Sequence, residues 1–165
     1  AHLVALRDAY VYGGEAYNVS AMRAMRERQM RHLVTGGTFN AKYSLGGLVD
    51  CEYLVQGLQI THGRQDPRLR VTNTHEAIRA LAEAGVLSTE NHARLEAAYG
   101  FLRRLIDALR MVRGNARDLT VPPADSEEYA FLARRLSYGA DRARLRDDLY
   151  RHTRAVQELS RELLG

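Results

Sequence analysis

A short segment of the chain, residues 40–56, combines a lysine, two adjacent glycines and several polar side chains that are candidates for ligand binding. It reads Asn-Ala-Lys-Tyr-Ser-Leu-Gly-Gly-Leu-Val-Asp-Cys-Glu-Tyr-Leu-Val-Gln, and the pattern predicts a helix that begins at the two glycines. Such a start leaves backbone N–H groups free and concentrates positive potential at the first turn. Lys42 could add a full charge, so a phosphate could dock at Gly46 and Gly47.

A structural interpretation of these residues stays open at this point. Gly46 and Gly47 would then permit a tight entry into the helix, Asp50 would complement the helix dipole, and Lys42 would be solvated.

Two polar residues of the same helix, Glu52 and Gln56, are harder to explain as solvated side chains. The helix is apolar on both flanks, and partly buried polar groups need hydrogen-bond or charge partners. Arginines such as Arg103 or Arg104 could be these partners, in which case they would hold the bundle together.

The rest of the chain offers no further pattern typical of catalysis or metal binding. The six histidines form no HxxxH pair, and one cysteine cannot build a thiolate cage. The sequence contains no GxxxxGK[ST] or GxGxxG loop, no GxSxG elbow, no Gly-Ser and no Asp-x-Asp. We therefore predict no catalytic residue and no metal ligand in this chain.

Composition narrows the class of protein. The chain has 165 residues and a net charge of +4, from 24 Lys+Arg and 20 Asp+Glu, and it lacks an initiator Met, which suggests a fragment. No stretch of about 18 apolar residues occurs, so a membrane is not an expected partner. Most arginines alternate with acids at helical spacing, which indicates a solvated surface rather than a nucleic-acid interface. The lone Cys51 favours a reducing, cytoplasmic location.

The elements that must position these residues are predicted to be helices. Only three prolines occur, and the apolar residues between turns repeat with a period near 3.6. We expect an all-α, antiparallel bundle of five to six helices in one domain, residues 1–165. N-terminal helices occupy 1–36, a core bearing the segment above occupies 40–113, and C-terminal helices occupy 125–165. Helix starts are expected at Asn18, Asn73, Ser88 and Asp125.

The helix over residues 47–62 is predicted to lie between neighbours, because apolar residues cover two of its sides. One side holds Leu48, Cys51, Leu54, Val55 and Leu58, and the other holds Val49, Tyr53 and Ile60. One of its two narrow polar seams consists of Glu52, Gln56 and Gln59.

Residues 42–56, the signature segment, resemble the GGLVDIEFLVQ signature of glutamine-synthetase adenylyltransferases. That signature lies in a helical domain shared with the uridylyltransferases of the nitrogen-signalling protein PII. The similarity continues through residues 73–77, 81–87 and 99–105, in the family's order and spacing. Cys51 and Tyr53 replace the commoner Ile and Phe.

The resemblance implies a regulatory or substrate-positioning domain of an adenylyltransferase that transfers AMP from ATP to glutamine synthetase, or removes it. In that family a nucleotidyltransferase domain carries the Gly-Ser turn and the Asp-x-Asp that binds metal ions. The resemblance therefore implies ATP and Mg²⁺ as cofactors of the complete enzyme. Because this chain has neither motif, independent catalysis by it is not expected.

The resemblance also assigns positions. Lys42, Gly46, Gly47, Asp50, Glu52 and Gln56 occupy the signature positions and form the expected nucleotide or interdomain site. This site would face the catalytic domain, with Lys42 and the amides of residues 46–48 near phosphates. Asp50 or Glu52 would orient basic groups there.

A different function stays open beside this one. The chain could be a stand-alone interaction module that binds PII or glutamine synthetase without touching nucleotide.

Overall fold

The computed structural model describes residues 2–114 and 117–165, and their secondary structure is helical. The elements are α1 (His2–Val11), α2 (Val19–Leu33), α3 (Leu48–His62), a 3₁₀ turn (Pro67–Leu69), α4 (Thr74–Glu83), α5 (Thr89–Arg113), α6 (Glu127–Arg135) and α7 (Arg142–Leu164). Within these two ranges, no helix combines the length and the apolar character that crossing a membrane requires.

Helix α3 lies at the centre of the bundle, as its two apolar sides predict. It packs against α4, α5 and α7, and its buried residues come from both sides. Helices α5 and α7 run antiparallel beside it and are joined by polar contacts between their side chains. Arg94 donates to Glu158 at 2.7 Å, and Asn91 donates to Glu162 at 2.9 Å.

The described residues form seven α-helices, one more than the largest number expected. Five of them, α3 to α7, pack around the apolar core. Helix α2 has one buried residue, Arg26, and α1 has none. Helices α1 and α2 therefore lie outside the packed bundle, and the all-α architecture is as predicted.

Side-chain caps fix most helix starts where the sequence predicts them. Asn18, Asn73 and Ser88 each accept a hydrogen bond from the backbone N–H three residues on. The expected cap at Asp125 is wrong by one residue, because Ser126 Oγ accepts from the Tyr129 amide at 3.1 Å. A serine hydroxyl is as good a cap as a carboxylate, so local sequence did not separate the two.

The polar seam of α3 that contains Glu52 has one exposed and one buried glutamine. Gln56 is exposed, whereas Gln59 is 7% exposed. The Gln59 amide donates to the carbonyl oxygens of Leu69 and Val71 at 2.6 and 2.9 Å. Gln59 therefore fastens the segment between α3 and α4 to the core.

These two glutamines form a matched pair for a stability measurement. Replacing Gln59 by Leu leaves two carbonyl groups without their donor, so Gln59→Leu is expected to lower the free energy of unfolding by about 2 kcal/mol. Gln56→Leu should change it by less than about 0.5 kcal/mol. Urea denaturation of both variants measures the difference, and equal losses would contradict the anchoring role of Gln59.

Candidate functional site

The loop before α3 is a compact turn held by two buried polar side chains, Asn40 and Ser44. Asn40 Oδ1 accepts from the amides of Lys42 and Tyr43, each at 3.0 Å. Ser44 Oγ accepts from the Asn40 amide at 2.8 Å. The loop also pairs with a distant part of the chain, because the Ala41 amide donates to the Leu119 carbonyl oxygen at 2.9 Å. The position of the signature segment is therefore fixed by contacts that sequence analysis did not identify.

The amides at the start of α3 are bonded within the chain. Gly46 N donates to Asp50 Oδ2 at 2.7 Å, and Gly47 N donates to the Ser44 carbonyl oxygen at 2.8 Å. The amides of Leu48 and Val49 donate to the carbonyl oxygens of residues 41 and 42, each at 3.0 Å. The expectation of free N–H groups at residues 46–48 is wrong, because the loop curls back over the helix start.

The two glycines are required by close backbone approach. Gly46 has φ +76°, and a Cβ there would lie 2.3 Å from the Thr153 carbonyl oxygen of α7. A Cβ on Gly47 would lie 2.9 Å from the carbonyl oxygens of Ala41 and Ser44. The glycine pair lets the loop pack against α7 and against itself, which agrees with the structural interpretation of a tight entry.

Asp50 is a link between three parts of the chain. One carboxylate oxygen accepts from the Gly46 amide, and the other pairs with Arg26 Nε of α2 at 2.5 Å. Arg26 also donates to the Tyr43 carbonyl oxygen at 2.9 Å and to Gln29 Oε1 at 3.0 Å. The basic group that Asp50 orients is thus in this chain.

Sequence analysis missed Arg26, although a signal for it exists. Its position lies four residues after Met22 and four before Met30, on the apolar side of α2. A charged residue in such a stripe is a candidate for a buried ion pair. Around it, α2, α3 and α7 form a groove of about 540 Å³, lined by both apolar and charged side chains.

The outward-facing residues of the segment form a different group. Glu52 is half-buried, and burial raises the pKa of its carboxyl group above the ordinary value. The positive charges of Lys42 and Arg103 oppose that rise. Gln56 follows one turn later and is exposed. We call these four residues, Lys42, Glu52, Gln56 and Arg103, the Glu52 surface.

The Glu52 carboxylate has no close partner among the described residues. Within the described ranges, the carboxylate accepts no hydrogen bond and forms no ion pair within 4.0 Å. The Lys42 ammonium lies 5.1 Å from the centre of the Tyr43 ring. The carboxylate is therefore partly desolvated but still able to accept a hydrogen bond.

Arg103 and Arg104 do not hold the bundle together through ion pairs. Both are exposed, and in the described part of the chain neither has a carboxylate within 4.0 Å. Arg103 acts on Glu52 from a distance, whereas Arg104 lies on another flank, within electrostatic reach of Tyr138.

The donor groups of the site do not fit a magnesium triphosphate. Residues 2–114 and 117–165 contain no group of three or more His, Cys, Asp or Glu side chains that could hold a metal ion. The four amides at the start of α3 are engaged, and Lys42 alone cannot enclose a triphosphate. Cys51 is fully buried, which raises the pKa of its thiol and removes it as a nucleophile.

Comparison with known proteins agrees with the resemblance noted in the sequence. The family described as GlnD PII-uridylyltransferase matches residues 20–164. Three similar relatives are bifunctional glutamine synthetase adenylyltransferase/adenylyl-removing enzymes. That of Streptomyces avermitilis is 35% identical over 161 residues, 93% of this chain and 16% of the relative. That of Streptomyces coelicolor is 40% identical over 114 residues, 69% of this chain and 11% of the relative. That of Mycobacterium tuberculosis is 39% identical over 118 residues, which cover 70% of this chain and 12% of the relative.

The chain thus spans between 11% and 16% of the length of these relatives.

Two glycines with positive φ test the close packing of the loop on α7. Gly85→Ala adds a Cβ in open space at φ +73°, so only the left-handed backbone is penalised, by about 1 kcal/mol. Gly46→Ala carries a similar backbone penalty and also meets the Thr153 carbonyl oxygen, so it is expected to cost about 2 kcal/mol more. Chemical denaturation compares the two, and equal losses would contradict the close approach of α7.

The partly desolvated carboxylate gives a pH-dependent stability. Because the folded chain binds the Glu52 proton more tightly than the unfolded chain, the stability from this group is complete below the ordinary glutamate pKa and is lost as the pH rises through the folded value. Glu52→Gln is therefore expected to stabilise the chain at neutral pH, and the gain should shrink toward about pH 4.

Thermal denaturation of the variant and the original chain at both pH values measures this difference. Glu83→Gln, at an exposed position of α4, is the control and should show no such gain. A loss of stability in Glu52→Gln at neutral pH would mean that attraction by Lys42 and Arg103 outweighs desolvation.

Proposed function

This chain belongs to the family of helical domains that PII-uridylyltransferases share with glutamine synthetase adenylyltransferases, and from that premise we propose that it serves as the regulatory or substrate-positioning domain of a longer adenylyltransferase. In this role it takes part in the transfer of AMP to glutamine synthetase, or in its removal, without supplying catalytic groups. A nucleotidyltransferase domain holds the ATP and Mg²⁺ that this chemistry needs. The PII protein is a further partner, and the cytoplasm is the proposed location.

The single observation that carries the proposal is the half-buried Glu52 carboxylate, to which none of the described residues donates a hydrogen bond. Its oxygens still contact water, but losing part of the hydration of a carboxylate is unfavourable, and a protein donor would replace the lost water contacts. Here the carboxylate lies on the central helix of the bundle, within the segment that identifies the family, and two cations lie within electrostatic reach of it. A partner that donates to Glu52 would offset that cost.

The Glu52 surface carries both signs of charge, which defines what the catalytic domain should present to it. Glu52 requires a donor, such as an arginine or a backbone amide of that domain. Lys42 and Arg103 require an anion, and a nucleotide phosphate held by the catalytic domain fits this need. When two domains close over such groups, loss of water strengthens each of these interactions. We therefore assign Lys42 to the phosphate and Glu52 to orientation of the partner domain.

One observation favours the second candidate, a stand-alone module that binds PII or glutamine synthetase. The engaged amides at residues 46–49 leave the start of α3 without a phosphate cradle. Calorimetry separates the two functions. Heat on titration of the chain with PII or glutamine synthetase, together with unchanged kinetics of the full-length variants below, would favour the module.

The full-length adenylyltransferase is the protein in which to test the proposal. Lys42→Ala is expected to raise the KM for ATP about tenfold, because one charge-assisted contact to phosphate is lost. Glu52→Gln is expected to lower kcat/KM about tenfold while leaving the fold intact. Steady-state assays of AMP transfer and removal measure both parameters.

Two control variants remove equal charge from exposed positions outside the Glu52 surface. Arg31→Ala on α2 matches Lys42→Ala, and Glu83→Gln on α4 matches Glu52→Gln. Both controls should retain the original kinetics. If Lys42→Ala has the same kinetics as Arg31→Ala, the phosphate role of Lys42 is refuted. If Glu52→Gln has the same kinetics as Glu83→Gln, the orienting role of Glu52 is refuted.

A further inference from the structure

A second charged surface lies away from the signature segment, between the C-terminal half of α5 and the turn that joins α6 to α7. It is an open groove of about 770 Å³, which we call the arginine groove. Arg104 and Arg110 line it from α5, and Arg135 lines it from α6. The one carboxylate in its lining is Asp107.

The positive charges of the arginine groove are only partly compensated. Arg110 pairs with Asp107 at 3.3 Å. Arg104 and Arg135 are exposed, and in residues 2–114 and 117–165 neither has a carboxylate within 4.0 Å. Two guanidinium groups are therefore available to an anion from outside the chain.

The positive potential extends beyond the groove toward Tyr138. The Arg144 guanidinium lies 5.9 Å from the centre of the Tyr138 ring, and Arg104 acts electrostatically on the same phenol. The nearby Asp148 is already engaged, since it accepts from the Tyr138 hydroxyl at 2.6 Å and pairs with Arg151 at 2.8 Å. Asp148 forms no ion pair within 4.0 Å with Arg104.

The lining of the arginine groove also contains apolar side chains. Ala108 is buried, Leu136 is half-buried, and Met111 is 63% exposed. Arg104, Ala108 and Met111 are spaced four and three residues apart, so they follow one side of α5. A ligand along this side would meet a cation first and an apolar strip next.

The backbone at the groove does not form a phosphate cradle. The amide of Ser137 donates to the Arg134 carbonyl oxygen at 3.1 Å, and that of Tyr138 donates to the Ala133 carbonyl oxygen at 2.8 Å. Compact phosphates are typically bound where several free amides converge. Guanidinium groups on two helices, with apolar side chains in the same lining, fit a longer ligand that carries more than one carboxylate.

We propose that the arginine groove binds an acidic segment of a partner protein, with carboxylates on Arg104 and Arg135 and an apolar side chain on Met111. Guanidinium groups bind carboxylates through paired, charge-assisted hydrogen bonds. The methionine accommodates apolar side chains of different shapes, because it is unbranched and flexible. This surface is distinct from the Glu52 surface, and its role does not depend on that of the signature segment.

Fluorescence anisotropy with the complete chain tests this proposal. The probe is a labelled peptide in which pairs of glutamates alternate with single leucines, titrated at low and at physiological salt. Arg104→Gln combined with Arg135→Gln is expected to weaken binding about tenfold, since two exposed charge contacts are lost. The matched control, Arg28→Gln with Arg31→Gln, removes the same charge from exposed positions of α2 and should bind like the original chain.

A second variant tests the apolar strip. Met111→Gln should weaken binding of the leucine-containing peptide several-fold and leave an all-glutamate peptide unaffected, whereas a purely electrostatic surface would show no such difference. Equal losses in both double variants, tighter binding of an RNA oligomer or of tripolyphosphate, or no binding of the peptide at low salt would each overturn the proposal. These outcomes do not involve AMP transfer, so they are independent of the kinetic test above.

Discussion

The Asp50 carboxylate is the group on which the arrangement of the signature segment depends. One oxygen closes the loop onto α3 through the Gly46 amide, and the other fastens α2 through the buried Arg26. Without it, the Arg26 guanidinium would be an uncompensated buried charge, which costs several kcal/mol. A buried pair of this kind adds little net stability over apolar packing, but its directional hydrogen bonds allow one orientation of α2. We infer that Asp50 fixes the geometry of α2 more than it stabilises the fold.

The signature segment therefore combines two kinds of residue that look alike in sequence. Gly46, Gly47 and Asp50 are engaged inside the chain, whereas Lys42 and Glu52 face outward. Sequence spacing placed all five at one helix start but could not separate them. Their division depends on where the loop carbonyl groups point, and that direction is set by Asn40 and by pairing with the distant Leu119. The free-amide expectation failed for this reason.

The fold was more predictable than the site, because most of its signals are local. The caps at Asn73 and Ser88 involve amides three residues away, and the central place of α3 follows from its two apolar sides. Sequence patterns did not predict the burial or the partners of a polar side chain where these depend on a distant segment. Gln56 and Gln59 share one predicted seam, but only Gln59 is covered by the residues that precede α4. The attachment of α2 likewise depends on Asp50, which lies 24 residues from Arg26.

The charges of this chain differ in what holds them in place. Arg94 and Glu158 neutralise each other between two core helices, so their presence is explained by the fold alone. Glu52 is different, because within the described residues its partly desolvated carboxylate accepts no hydrogen bond, and a neutral amide there is expected to be at least as stable at neutral pH. A charged residue that adds no stability, in surroundings that do not favour its charge, indicates a functional constraint. The same reasoning applies to Arg104 and Arg135, which among the described residues have no carboxylate within 4.0 Å. The physical basis for both proposed surfaces is thus uncompensated charge, which a binding partner would neutralise.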